Sequence, residues 1–108
     1  MRLTAIVTDK QTSSFAAVLT RNRVCGAPIV LARRRLAESA LIGGVVINNR
    51  IANVVAPGGV NAAERVCEAA GRALGYSSGD GIISLSTGVV GWPLPVEPMV
   101  AAMPSPDE

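Results

Sequence analysis

The stretch Asn61-Ala62-Ala63-Glu64-Arg65-Val66-Cys67-Glu68-Ala69-Ala70-Gly71-Arg72-Ala73-Leu74-Gly75, followed five residues later by Gly81-Ile82-Ile83-Ser84-Leu85-Ser86, decides the fold class. At about 100° per residue, Ala62, Ala63, Val66, Cys67, Ala69, Ala70, Ala73 and Leu74 form one apolar face, with Glu64, Arg65, Glu68 and Arg72 opposite. Asn61 with Glu64 three residues on reads as a capping box, Glu68 and Arg72 as a favourably oriented i,i+4 pair, and Gly75 as the C′ residue. The pattern predicts a helix over residues 62–74. Its small buried side chains imply close packing on a sheet, and residues 81–86 supply a strand.

Upstream, residues 45–47 (VVI) are an apolar run suited to a strand buried on both sides, ended by Asn48-Asn49-Arg50. Residues 33–41 have helical spacing, with Leu36, Ala37, Ala40 and Leu41 on one face and Gly43-Gly44 as the stop. Residues 27–31 (APIVL) read as a short strand that tolerates Pro28 only near its start or on an edge. Residues 3–8 (LTAIVT) and 15–20 (FAAVLT) flank a polar turn and read as a hairpin, and Pro95 opens a last helix toward Met103. Alternating strands and helices predict an α/β layered fold, and the hairpin makes its sheet mixed. One domain is expected over residues 1–103, with residues 104–108 (PSPDE) as a disordered tail.

Composition narrows the function. The 108 residues carry ten basic and eight acidic side chains, a net charge of +2 that exerts no general pull on nucleic acid. Hydrophobic residues make up 49% and aromatics 3%, so the core must be a shallow one of Val, Ile, Leu and Ala. A charged fraction of 17% and a mean hydropathy of +0.39 leave much apolar surface to be covered, as in a piece of a larger assembly. The absence of histidine excludes a Ser-His-Asp triad, an imidazole base and a His-containing zinc site within this chain. Cys25 and Cys67 form no CxxC pair and read as small hydrophobes, which makes a reducing, cytoplasmic setting the default. No apolar run reaches about 18 residues, so no membrane span is expected.

Three polar clusters fall where predicted strands end, the usual place for sites in open α/β sheets. They are Thr20-Arg21-Asn22-Arg23, Asn48 to Asn53, and Ser86-Thr87-Gly88-Val89-Val90-Gly91. By local pattern alone the third reads first as a tight strand exit, and second as a turn whose two hydroxyls and glycine let backbone N–H groups approach a ligand, as an anion or oxyanion requires. The first reads as a solvated strand end, and Asn48 and Asn53 as residues that fix a loop by bonding its backbone. Arg33-Arg34-Arg35 spreads over about 200° of a helix without a neighbouring aromatic, which reads as a solvated surface and not a nucleic-acid patch.

In order, these clusters resemble the ornithine acetyltransferase family, the bifunctional glutamate N-acetyltransferases of arginine biosynthesis. Residues 19–29 (LTRNRVCGAPI) resemble the family's FTTNRVxAAPV, and Val46-Ile47-Asn48 with Ala52-Asn53 resembles VVNSGNAN. Ser86-Thr87-Gly88-Val89-Val90-Gly91 with Leu94-Pro95 resembles STGVIGxxLP. The resemblance implies part of the α-chain of a self-cleaving acyltransferase of mixed sheets and helices. In such proteins a threonine freed at the N-terminus of a β-chain takes acetyl from N-acetylornithine and passes it to glutamate, without cofactor or metal. The N-terminal amine can serve as base, so histidine is not required.

Carried over, the resemblance places the oxyanion hole at Thr87 and Gly88. It implies no nucleophile in this chain, a β-chain partner and a hetero-oligomer when complete; charge and apolar run length, as above, argue against nucleic acid and membrane as partners. Asn49, Arg50 and Ile51 stand where the family has Ser, Gly and Asn, and residues 56–59 (APGG) replace a TG-containing loop. The chain stops after Met103-Pro104, ahead of the family's cleavage site, so alone it is expected to be inactive. The competing expectation is a non-catalytic truncated remnant or interaction module with the same partial fold.

Overall fold

A computed structural model describes residues 1–105. Its strands are β1 (Leu3–Thr12), β2 (Ile42–Asn48) and β3 (Ile82–Ser86), and its helices α1 (Ala27–Glu38), α2 (Gly59–Ala73) and α3 (Val96–Ala101). The sheet order is β1-β2-β3, with β1 antiparallel and β3 parallel to β2. The sheet is therefore mixed, as the sequence predicts. The parallel pair forces α2 to cross over between β2 and β3, so both strands end on the same edge.

Alternation along the strands divides the sheet into two faces. Val46 and Ile82 pack with Leu31 of α1, Ala63, Val66, Cys67 and Ala70 of α2, and Met99 of α3. Val45, Ile47, Ile83 and Leu85 point the other way and stay half-exposed or exposed, as does Ile6 of β1. The molecule measures 34 × 29 × 18 Å, the shortest extent being one sheet with a single layer of helices.

Helix α2 has the amphipathic face its spacing predicts, burying Ala63, Val66, Cys67, Ala69 and Ala70, and Arg72 lies 3.9 Å from Glu68. Gly75 follows the helix at φ +80°. Its start differs: the N-cap is Gly58 with no side-chain cap, and Asn61 lies exposed inside the first turn, so no capping box forms.

Four other expectations are corrected. Residues 15–20 are not a strand: β1 takes β2 as its partner, and Val18, with nothing to pack against, is 98% exposed. Residues 27–31 are the first turns of α1 and not a strand. Pro28 sits where its missing N–H costs no intrahelical bond, and Pro28, Leu31, Ala32 and Arg35 are buried at i, i+3, i+4 and i+7. The face Leu36, Ala37, Ala40 and Leu41 is accordingly not the buried one, and α1 ends at Glu38, where the Ser39 N–H donates to the Arg35 carbonyl. Gly43 and Gly44 lie inside β2, where side chains would meet the Tyr76 ring and the Ile6 carbonyl.

Arg35 corrects the reading of the arginine run as wholly solvated. It is buried, and Nη1 donates to the carbonyls of Gly79 (2.5 Å) and Ile82 (2.6 Å), tying α1 to the start of β3. Arg34 instead pairs with Glu64 on the surface, and Arg33 donates to the Thr20 carbonyl. The last helix starts after Pro95 as expected. Of the tail, Pro104 and Ser105 lie outside any helix or strand, and residues 106–108 lie outside the described residues.

Candidate functional site

Because β2 and β3 are parallel and in register at Asn48 and Ser86, the segments leaving them run on side by side. The Thr87 N–H donates to the Asn48 carbonyl (3.1 Å), Val89 N–H to Arg50 (2.8 Å), Ala52 N–H to Val89 (2.9 Å) and Gly91 N–H to Val54 (2.8 Å). Two clusters about forty residues apart thus become one surface at the carboxyl ends of a parallel pair, where open α/β sheets place their sites.

Asn48 is buried at this junction. Its Nδ2 donates to the Ile51 (2.8 Å) and Asn49 (3.3 Å) carbonyls, and its Oδ1 accepts from the Ser86 hydroxyl (2.6 Å). Asn53 is also buried: its Nδ2 donates to the Gly59 carbonyl (2.9 Å), and its own carbonyl accepts from the Ala27 N–H (2.9 Å). Both asparagines fix loop backbone, as their sequence reading expects.

The loop between β2 and α2 is strained. Arg50, Asn53 and Val55 have φ of +76°, +54° and +53°, a conformation that costs a residue with a Cβ about 1–2 kcal/mol. Gly88, at φ +126°, lies flat against the Arg50 main chain, and a Cβ there would overlap the Arg50 carbonyl group. This position therefore requires glycine twice over, for its backbone angle and for the close approach.

Thr87 and Gly88 are exposed at the mouth of this junction. The Thr87 hydroxyl lies 3.3 Å from the Asn48 carbonyl, which the Thr87 N–H already occupies. Among the described residues none accepts from the Gly88 N–H. One rotatable hydroxyl and one fixed N–H are thus adjacent donors open to a ligand.

Thr20, Arg21, Asn22 and Arg23 are exposed and held by local turns, Asn22 N–H to Thr20 Oγ1 (3.1 Å) and Val24 N–H to Asn22 Oδ1 (3.0 Å). Their stretch leads to the junction through Gly26 and Ala27, which lie against residues 52–54. An open depression of about 600 Å³ lies between that approach and the first turn of α2, lined by Cys25, Val30, Asn53 and residues 55–61; neither Thr87 nor Gly88 lines it. Cys67 stays in the core, where burial pushes its thiol pKa up against a smaller opposing pull from the Arg35 guanidinium. Sequence reading missed the strain at Arg50 and the reach of Asn48. An arginine where the resemblance has glycine was the available signal for the first.

Comparisons with known proteins identify the family and the fold. The family model described as the ArgJ family matches residues 1–107. The chain is similar to the mitochondrial arginine biosynthesis bifunctional proteins ArgJ of Podospora anserina (38% identical over 103 residues, 93% of this chain and 22% of that protein) and Pyricularia oryzae (39% over 104, 94% and 22%). It is also similar to ArgJ of Pseudomonas syringae pv. tomato (38% over 91 residues, 84% and 22%). It thus spans less than a quarter of the length of these curated relatives. Among solved structures, ArgJ of Bacillus halodurans superposes with a TM-score of 0.84 at 27% identity, covering 94% of this chain and 52% of that one. Ornithine acetyltransferase of Mycobacterium tuberculosis, solved with ornithine, does so with 0.84 at 25%, covering 94% and 54%. No helix among the described residues is long and apolar enough to cross a membrane. With the family model spanning nearly its whole length and the fold matching two solved members, this chain belongs to the ArgJ family.

Proposed function

We propose that this chain supplies the oxyanion hole of an acetyl transfer from N-acetylornithine to glutamate, with Thr87 and Gly88 as the donors. The observation that carries the reading is their pairing at the strand exits: an unengaged Gly88 N–H beside a Thr87 hydroxyl that can be redirected. Turning that hydroxyl toward an oxyanion leaves the Asn48 carbonyl still paired with the Thr87 N–H, so the donor is freed without orphaning an acceptor.

The nucleophile comes from a partner, a β-chain that begins with threonine. Its hydroxyl attacks the acetyl carbonyl while the N-terminal amine takes the proton, and the carbonyl oxygen becomes the oxyanion that Thr87 and Gly88 stabilise. Collapse breaks the C–N bond as the protonated N-terminal amine gives its proton to the departing nitrogen, which releases ornithine and leaves acetyl-threonine. The glutamate amine then attacks the ester and loses a proton to the N-terminal amine, the same donors hold the second oxyanion, and collapse breaks the C–O bond as that proton passes to the threonine oxygen, which restores the hydroxyl and releases N-acetylglutamate. The complete assembly is a hetero-oligomer of self-cleaved origin acting in the cytoplasm. The names of the relatives support the pathway, and the ornithine complex of the Mycobacterium tuberculosis enzyme supports the substrate class.

The test is to isolate the chain with whatever co-purifies from its source cells and to measure acetyl transfer from N-acetylornithine to glutamate. Thr87→Ala is expected to lower the rate roughly 10²-fold, the usual effect of losing one oxyanion donor. A rate equal to that of the parent complex sinks the proposal and leaves the non-catalytic reading.

A further inference from the structure

We infer that Asn48 is the positioning residue that aims Thr87 and Gly88, an inference that rests on the oxyanion reading above. Asn48 is 4% exposed, yet every polar atom of its side chain is engaged. An apolar side chain would satisfy burial at this place in β2, so the amide must be there for its bonds. The main-chain carbonyl alone aligns Thr87, accepting from both its N–H and its hydroxyl. The side chain does something further.

Its Nδ2 donates to the carbonyls of Asn49 and Ile51, which flank Arg50 on either side. Arg50 has φ +76°, and a strained backbone persists only where its surroundings over-determine it. The Asn48 amide grips both neighbours of this residue, beside the paired bonds between Arg2 and Asn49 and the Val89 N–H on the Arg50 carbonyl. The Arg50 main chain in turn forms the floor on which Gly88 lies, and its carbonyl accepts from the Val89 N–H at 2.8 Å. Oδ1 closes the circuit by accepting from Ser86, the residue before Thr87. One buried amide therefore braces both sides of the donor pair, Ser86 before it and Arg50 beneath it.

Two measurements test this. In the 108-residue chain, Asn48→Ala is expected to speed amide hydrogen exchange at Thr87 and Val89 by about tenfold or more while the β2–β3 ladder changes by less than about twofold. An equal loss along the whole ladder overturns the inference, because Asn48 is then a general structural residue. In the acetyl-transfer complex, Asn48→Ala is expected to lower kcat about tenfold with KM within about twofold, and to do so still when Thr87 is already Ala, because the Gly88 N–H that the Asn48 side chain braces is still in place. If Asn48→Ala leaves kcat unchanged while Thr87→Ala lowers it, the positioning role is wrong although the oxyanion reading stands. If Thr87→Ala itself has no effect, it is the oxyanion reading that falls. Should Asn48→Ala not fold, Ser86→Ala removes only the Oδ1 contact, and the same localised exchange and a fall in kcat at nearly constant KM are required of it.

Discussion

Gly88→Ala adds one methyl group where the structure has no room, and the cost can be worked out in advance. Gly88 sits at φ +126°, and holding a residue with a Cβ in such a region costs about 2 kcal/mol. The new methyl would also overlap the Arg50 carbonyl group, so the turn must lift. Lifting it breaks the Val89 bond to Arg50 and the Thr87 bond to Asn48, about 1 kcal/mol each. The expected loss is about 4 kcal/mol. Gly91 provides the control, since its φ is +90° but a Cβ there would meet nothing within 4 Å. Gly91→Ala should therefore cost only the backbone share, about 2 kcal/mol. Thermal unfolding followed by circular dichroism at one fixed chain concentration should separate the two variants by about 8–16 °C, with Gly88→Ala the lower. Midpoints within about 3 °C of each other would show that contact with Arg50 does not constrain residue 88, and the geometry argued for the donor pair would fail with it.

Two further expectations concern the core. Arg35→Ala leaves the buried carbonyls of Gly79 and Ile82 without their donor and should destabilise the chain by about 2–4 kcal/mol, whereas Arg34→Ala on the exposed helix face should cost less than about 1 kcal/mol; urea unfolding distinguishes them. Burial raises the Cys67 thiol pKa, so the folded chain holds that proton more tightly than the unfolded one. Stability from this group is present below the ordinary thiol value and is lost as pH rises through and above it. Urea midpoints should thus decline above about pH 8.5 in the parent and decline less in Cys67→Ala; parallel profiles would contradict the assignment.

The parts of the fold legible in the sequence were those whose signals are local. The helix α2 repeats its apolar residues at helical spacing for four turns, and nothing at a distance could have changed that reading. The short apolar runs behaved differently. Residues 15–20 and 27–31 both look like strands, but one is an exposed irregular passage and the other the first turns of α1. A short apolar run is helix or strand according to what lies beside it, and only Pro28, suited to a first helical turn, distinguished them in advance. The arginine run was likewise ambiguous: Arg35 faces inward because α1 turns that side toward β3, a fact of packing and not of composition.

For the site, the residue types alone marked Ser86-Thr87-Gly88 as a strand exit where N–H groups could approach an anion, and it was the family resemblance that singled out Thr87 and Gly88 as the proposed donors. The sequence by itself likewise determined the amphipathic helix, the α/β class, the exclusion of histidine chemistry within the chain and, through three spaced motifs, the family, whereas the antiparallel strand that makes the sheet mixed is β1 on β2 and not the expected hairpin. Only the tertiary structure decided that Asn48 and Arg50 meet Ser86, Thr87 and Gly88, that Arg50 adopts a glycine-like backbone, and that Arg35 is buried. Each of these depends on pairings between residues some forty apart, and such pairings follow from strand order and register, which no local pattern encodes.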